Sequence, residues 1–156
     1  MELFIEILRQ LHAELAVLAI AATPVLELRG AIPFGMNLNM NWKVVYILSV
    51  LGNLIPVPFI LIYMRPVFSF LRKTKYFQKA IHLIEKRTMK KAETVMKYSA
   101  LGLFLVVAIP LPGTGAWTGA MIASLLDMRM KYALPAIFFG VVSAGALVMG
   151  ISYHIF

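Results

Sequence analysis

The chain has 156 residues, 61% of them hydrophobic and 14% charged, with a mean hydropathy of +0.84 and a formal net charge of +8. Soluble domains are about half apolar and one quarter charged, so this composition argues against a soluble fold and indicates an all-α integral membrane protein. The chain contains no cysteine, which excludes disulfides, thiolate metal sites and cysteine nucleophiles.

The first element is predicted to be an amphipathic helix in the membrane interface. Its apolar residues recur at helical spacing and form a stripe of Phe4, Leu8, Leu11 and Leu15. The apolar stretch 15–26 follows, but it is too short to cross a bilayer, because a spanning helix needs about 20 residues. It leads into the motif ELRGAIP at 27–33, which places an acid, a base, a glycine and a proline together.

Two uncharged stretches, 44–64 and 132–156, are long enough to span the membrane. Between them, the segment 65–97 carries ten of the fifteen Lys and Arg residues and accounts for the whole net charge of +8. Because apolar spans flank it, the positive-inside rule explains this segment better than nucleic-acid binding does. It is predicted to be a cytoplasmic amphipathic helix that contacts anionic lipid headgroups.

A further apolar stretch, 98–126, is longer than one span needs and is interrupted by PLPGTG at 110–115. The interruptions in 15–37 and 98–126 leave arms of about 12 residues, or roughly 18 Å of helix, which reach slightly past the middle of a ~30 Å bilayer core. Non-helical backbone at that depth is tolerated only where protein or a water-filled cavity covers it. Both stretches are therefore predicted to be re-entrant helical hairpins, which enter the membrane and turn back.

The two halves of the chain resemble each other, which predicts an internal repeat. Gly30 aligns with Gly115 at an offset of 85, and residues 40–52 align with 128–140 at an offset of 88. The single predicted membrane domain, 1–156, thus contains repeat 1 at about 1–64 and repeat 2 at about 75–156. Each repeat has an amphipathic helix, a re-entrant hairpin and a transmembrane helix.

Topology follows from placing the basic segment in the cytoplasm. The first span then runs from outside to inside, both termini lie outside, and the two hairpins enter from opposite sides. This arrangement puts twelve of the fifteen basic residues in the cytoplasm. The repeats are therefore predicted to be inverted, with their hairpin tips meeting near the midplane, as in many secondary transporters. We also expect Asp127 and Arg129 to pair where the second hairpin leaves the membrane.

Glu27 and Arg29 are the only charged residues predicted deep in the membrane, where a charge is costly and indicates function. We expect Glu27 to take and release a proton and Arg29 to hold a phosphate or carboxylate with its planar guanidinium. Helix N-termini after Gly30 and Gly115 would add backbone donors. The predicted binding site comprises Glu27, Arg29, Gly30, Pro33, Asn53, Pro112, Gly113, Thr114, Gly115, Trp117 and Thr118.

Several alternatives stay open at these positions. Glu27 and Arg29 can pair with each other, or their loop can lie at the water interface. The small residues of 110–120 can serve helix packing instead of binding. Asn53 either lines the cavity or bonds the backbone at a kink before Pro56. The three histidines show no metal-ligand spacing, and no Ser-His-Asp group is visible. We therefore expect that the protein binds no metal or cofactor and is not an enzyme.

The motifs ELRGAIP at 27–33 and PLPGTGAWTGA at 110–120 resemble the family named putative small multidrug export protein, over nearly the whole chain. That family is grouped with the DedA/VTT (SNARE-associated) superfamily, whose predicted architecture has two facing re-entrant hairpins. The resemblance implies a prokaryotic inner-membrane transporter that flips or scrambles lipids, including phosphate-bearing carrier lipids, with proton coupling. Glu27 and Arg29 match the acid and base of the first hairpin, whereas the second hairpin lacks the arginines of DedA members.

The leading interpretation is a small transporter that moves an amphiphilic or anionic substrate, above all a phospholipid or a phosphate-bearing carrier lipid. The first alternative is efflux of small hydrophobic or cationic compounds. The second is a non-transporting scaffold that organises lipids or partners through its basic helix. We expect a homo-oligomer, in particular a dimer, because four membrane elements enclose little volume.

Overall fold

The computed structural model describes residues 2–74, 78–111 and 113–155, and every regular element in these ranges is an α-helix. The all-α prediction is therefore confirmed for the described part of the chain. In chain order the helices are α1 Glu2–Ala22, α2 Glu27–Asn37, α3 Trp42–Leu54, α4 Pro56–Arg72, α5 Gln78–Ala108, α6 Ala116–Leu125 and α7 Met130–Ile155.

Two stretches are long and apolar enough to cross a membrane, Trp42–Phe70 and Met130–His154. They coincide with the predicted spans 44–64 and 132–156, so both spans are confirmed as apolar helices of sufficient length. The first is divided at Ile55, since Pro56 and Pro58 lack the N–H groups that would continue the helical hydrogen bonds. Ile55 itself keeps helical dihedral angles, so α4 continues the path of α3.

The short helices α2 and α6 fold back against the helices that precede them. α2 has 11 residues and packs on α1, where Gly35 contacts Val17. α6 has 10 residues and packs on α5, where Gly119 contacts Val107. At 1.5 Å per residue each short helix is about 15 Å long, or half of a bilayer core. We call the two connecting turns the first break, 23–26, and the second break, 109–115.

The amphipathic helices continue directly into the apolar arms. α1 runs without interruption, so the amphipathic stretch and the apolar stretch after it form one helix. α5 contains a kink at Ser99, with φ 53° and ψ −126°, between its basic part and its apolar part. The sequence 77–95 has an amphipathic pattern with Phe77, Ile81, Ile84, Thr88, Ala92 and Val95 on one face. Thr88, Ala92 and Val95 are buried, as this pattern predicts, whereas Phe77 lies outside the described residues.

The helices form two groups that meet along several contacts. α1, α2 and α3 pack together, as do α5, α6 and α7, and the groups join where α7 meets α2 and α3 and where α4 meets α6. The Tyr46 hydroxyl ties α3 to α7 by donating a 2.9 Å hydrogen bond to the Val142 carbonyl. The largest fully buried side chains among the described residues come from both groups and include Leu28, Ile32, Leu103, Ile122 and Ile137.

The predicted Asp127–Arg129 pair is wrong, because Asp127 pairs with Arg65 instead. Arg65 Nε lies 3.3 Å from Asp127 Oδ1, and an Arg65 Nη atom donates a 2.9 Å bond to the Met128 carbonyl. Exposed ion pairs add little stability. The contact nevertheless joins the end of the first span to the turn after α6, which positions α6 against α4.

Candidate functional site

The two breaks meet, and each supplies polar groups to the other. Arg29 donates hydrogen bonds to the Leu111 carbonyl, to the Thr114 carbonyl at 2.9 Å and to the Thr114 hydroxyl at 3.0 Å. The backbone N–H of Trp117 donates a 3.4 Å bond to Glu27 Oε1. The acid and the base of the first motif therefore contact the second motif.

Glu27 is buried and shares its pocket with Arg29, but its carboxylate forms no salt bridge with the described residues. It is 5% exposed, and no Lys, Arg or His nitrogen of the described residues lies within salt-bridge distance of its carboxylate. Mutual pairing with Arg29, one of the alternatives left by the sequence, is thus not observed. Glu27 also has a φ of 51°, in the left-handed region that non-glycine residues rarely adopt. Strain of this kind is found where the surrounding structure fixes a residue for a function.

Gly115 makes room for the Glu27 carboxylate. It is the residue that precedes α6, its φ is 132°, and a Cβ atom at this position would overlap Glu27. α6 begins directly after Gly115, as predicted, and the N-terminal turn of a helix favours a negative charge. The corresponding prediction for Gly30 is wrong, because α2 begins at Glu27 and Gly30 lies in its first turn.

Arg29 stabilises the irregular backbone of the second break. Carbonyl groups without helical partners are costly at membrane depth unless protein covers them. The Arg29 guanidinium covers the carbonyl groups of Leu111 and Thr114 by donating hydrogen bonds to them. The Thr114 hydroxyl lies within the same turn, 2.9 Å from the Ile109 carbonyl and 2.7 Å from that of Leu111. Arg29 thus donates hydrogen bonds to two carbonyl groups and one hydroxyl, all of which are neutral.

A central pocket lies between the breaks. Glu27, Arg29 and Asn53 line it, and the pocket leaves no volume for a water molecule. Asn53 is 1% exposed and its Oδ1 has no hydrogen-bond partner, so it lines the cavity rather than bonding the kink through that oxygen. The remaining lining residues are apolar or small, namely Leu28, Val107, Gly115, Ala116, Val141 and Ala144.

The other predicted site residues are placed around this pocket. Gly30 and Pro33 belong to α2 but do not line it. Gly113, with φ 73°, forms the turn of the second break, and its carbonyl accepts a 3.1 Å bond from the Thr118 hydroxyl. Trp117 contributes its backbone N–H, while its indole Nε1 is buried without a partner. Pro112 lies outside the described residues.

Sequence reasoning missed several groups at the site. Ser49, one helical turn before Asn53, is fully buried and its hydroxyl has no partner. The i, i+4 spacing of these two polar residues in an apolar span was a signal for it. Val141 lines the same pocket from α7. No sequence feature indicated a role for the Leu111 carbonyl, since every residue has a backbone carbonyl group.

The fold and the site define a helical membrane protein with a buried ionisable centre. The sequence model of one family, described as putative small multi-drug export protein, matches residues 27–147. This range holds both motifs and most of the chain, so the chain belongs to that family. No curated protein and no solved structure matches the chain.

Proposed function

We propose that the chain is a small membrane transporter whose substrate site lies where the two breaks meet. The observation that carries this proposal is the buried carboxylate of Glu27, which forms no salt bridge among the described residues and shares its pocket with the Arg29 guanidinium, whose hydrogen bonds reach across to the other half. An ionisable pair inside a membrane protein is costly to retain without a function. Release of the Arg29 contacts with the second break would separate the tips and open the pocket.

The proposed architecture is an inverted repeat with two re-entrant hairpins. A parallel pair of contacts supports it: a Cβ at Gly52 would meet the Leu18 carbonyl and Ala21, and a Cβ at Gly140 would meet the Phe104 carbonyl and Val107. The two glycines are 88 residues apart, and the partners on α1 and α5 are 86 apart. Two unrelated halves have no reason to repeat such a contact, whereas inverted repeats in transporters do.

The proposed location is a prokaryotic inner membrane, with the basic segment in the cytoplasm and both termini outside. The contact of Arg65 with Asp127 and Met128 supports this topology, because it brings the end of the first span beside the exit of the second hairpin. Both ends then lie on the side that carries most of the basic residues. We further propose a homodimer and a function without enzymatic chemistry.

The leading substrate class is an amphiphile with an anionic headgroup, such as a phospholipid or a phosphate-bearing carrier lipid. This class follows from a relation to the DedA/VTT superfamily, which is part of the proposal. Arg29 would exchange its neutral carbonyl partners for phosphate oxygens, which a guanidinium binds more strongly and in pairs. The helix N-terminus at Gly115 would add N–H donors. Glu27 would carry the coupled proton.

A second candidate is export of small cationic or hydrophobic compounds. Two observations favour it: the family description names drug export, and Glu27 is a buried carboxylate that forms no salt bridge among the described residues. A lipophilic cation would neutralise Glu27, while Arg29 would keep its contacts with the second break. The two candidates thus assign the substrate to different residues of the same pocket.

Transport in proteoliposomes tests the proposal and separates the candidates. With headgroup-labelled phospholipid and an external quencher, we expect Arg29→Ala to lower translocation at least tenfold and Arg29→Lys to lower it less. Arg129→Ala, an exposed arginine outside the pocket, is the matched control and should leave the rate unchanged. Size-exclusion profiles verify that each variant is folded.

The same vesicles loaded with a fluorescent lipophilic cation test the second candidate. Export of the dye that Glu27→Gln abolishes and Arg29→Lys preserves would favour drug export over lipid translocation. Lipid translocation that persists unchanged in both Glu27→Gln and Arg29→Ala would contradict the proposed site.

A further inference from the structure

α3 carries two buried polar side chains that the contacts between the breaks leave unused. Ser49 is 0% exposed and Asn53 is 1% exposed, and neither Ser49 Oγ nor Asn53 Oδ1 has a hydrogen-bond partner among the described residues. Residues four apart in a helix share a face, so the two oxygens form a line along the inner side of α3. A buried polar atom without a partner destabilises a fold, so each of them requires an explanation.

The pocket itself restricts what can satisfy Asn53. Because the pocket leaves no volume for a water molecule, the hydrogen-bond donor must come from its own wall. Arg29 donates hydrogen bonds to Leu111 and Thr114, and the Trp117 backbone N–H donates to Glu27. Glu27 lines the same pocket and becomes a donor when protonated, since its carboxyl then carries one O–H group.

We propose that Asn53 Oδ1 accepts a hydrogen bond from the protonated carboxyl of Glu27, and that Ser49 continues the proton route toward the N-terminal end of α3. The inference rests on the proposed role of Glu27 as proton carrier. On this route Ser49 Oγ takes up one proton as it releases its own, so one O–H bond forms as another breaks, while Asn53 Oδ1 accepts the hydrogen bond without binding the proton. The proton forms one O–H bond on a carboxylate oxygen of Glu27 and later leaves from it. In the proposed topology the N-terminal end of α3 faces outside, so the route connects Glu27 to the outer side.

The charged surroundings of Glu27 are simple. Among the described residues that line the pocket, Arg29 is the one other charged side chain. The arm of α1 packed on α2, residues 15–22, has no titratable group, nor do the apolar part of α5, residues 100–108, and α6. Tyr46 precedes Ser49 on α3, and its hydroxyl donates a hydrogen bond to the Val142 carbonyl. α7 has Lys131, Tyr132, Tyr153 and His154 in its end turns.

Infrared difference spectroscopy of the full chain in lipid vesicles tests this proposal without a substrate. A pH step should produce a carboxylic-acid C=O band that disappears in Glu27→Gln. In Asn53→Leu, which keeps the shape but removes the acceptor, we expect this band to move to higher wavenumber. Asn53→Ala tests the same bond with a smaller side chain, should leucine not be accommodated.

The kinetics of the same band test Ser49. After a pH jump, Ser49→Ala should slow the appearance of the band at least threefold without moving it. The matched control is Ser124→Ala, which removes a similarly buried hydroxyl that is bonded to the Ile60 carbonyl on α4. The control should change neither the position nor the rate.

The outcomes distinguish this proposal from the one on which it rests. If the wild type shows no band that depends on Glu27, the proton-carrying role fails and the route fails with it. If the band is present but stays at the same wavenumber in both Asn53 variants, the hydrogen bond proposed here is wrong while the role of Glu27 stands. Equal rates in Ser49→Ala and Ser124→Ala would overturn the part assigned to Ser49.

Discussion

At the residue scale, the site depends on two unusual backbone conformations that face each other. Glu27 has φ 51° and Gly115 has φ 132°. The carboxylate of Glu27 occupies the space that a side chain at position 115 would need. Because Glu27 has a left-handed conformation at the end of the first break, its side chain points toward the second break, where Gly115 leaves space for the carboxylate. The Glu27 carboxylate is thus positioned by the space at Gly115 and by the hydrogen bond from the Trp117 N–H, and not by a salt bridge among the described residues.

This geometry predicts a large effect of a single methyl group. We expect Gly115→Ala to destabilise the protein by about 1–3 kcal/mol, because alanine is strained at positive φ and its Cβ would overlap Glu27. The melting temperature in detergent measures this loss. Gly150→Ala is the matched control, since nothing lies within 4 Å of its Cβ and alanine favours a helix by about 1 kcal/mol. Equal melting temperatures for the two variants would contradict the proposed fit.

Sequence identified the chemical groups of the site better than their geometry. Glu27 and Arg29 were predictable because charges stand out within apolar stretches. The wrong helix start at Gly30 has a physical cause: the left-handed turn is made by Glu27, a residue type that gives no sign of it. The contact of Arg29 with the Leu111 carbonyl depends on tertiary packing, which no motif encodes.

At the element scale, glycines set how closely the helices approach. Membrane helices gain little from hydrophobic association, so small residues at their contacts matter more. Gly52 places α3 against the backbone of α1, and Gly140 places α7 against α5. In the proposed repeat, the offset of 88 aligns these two glycines, and they serve equivalent contacts in the two halves.

Equivalent contacts should respond equally to substitution. We expect Gly52→Ala and Gly140→Ala each to destabilise the protein by about 1–3 kcal/mol, since the added Cβ forces packed helices apart. Thermal unfolding in detergent checks both, again against Gly150→Ala. A loss in one variant without a loss in the other would argue against the repeat.

The boundaries between elements were less predictable than the spans. Hydropathy located 44–64 and 132–156 because a bilayer requires about 20 apolar residues in a row. The kink at Ser99 and the uninterrupted course of α1 were not expected. The amphipathic pattern looks alike in the two halves, so it does not distinguish a continuous helix from a kinked one.

At the scale of the whole molecule, three lysine–aromatic pairs indicate where the chain enters the membrane. Each lysine ammonium lies over the ring of its neighbour: Lys43 is 5.6 Å from the Trp42 centroid, Lys97 is 5.2 Å from that of Tyr98, and Lys131 is 4.9 Å from that of Tyr132. Aromatic residues favour the membrane–water interface, and lysines beside them extend toward the headgroups. The pairs therefore serve as three markers of depth.

These markers make the proposed topology testable by labelling. The chain has no cysteine, so each single substitution reports one position. We expect Lys97→Cys and Lys131→Cys to react with an impermeant maleimide from the cytoplasmic side and Lys43→Cys to react from the opposite side, since all three side chains are exposed. Ala116→Cys, in the pocket between the breaks, is the buried control and should react only after unfolding.

The decisive comparison is between positions 97 and 131, which flank the second hairpin. If the chain between them turns back within the membrane, both cysteines label from one side. If it crosses once, they label from opposite sides, and Lys131 then shares its side with Lys43. That second result would remove the inverted arrangement, because the two breaks would no longer enter from opposite faces. The meeting of Glu27 and Arg29 with the second break would then need a different explanation.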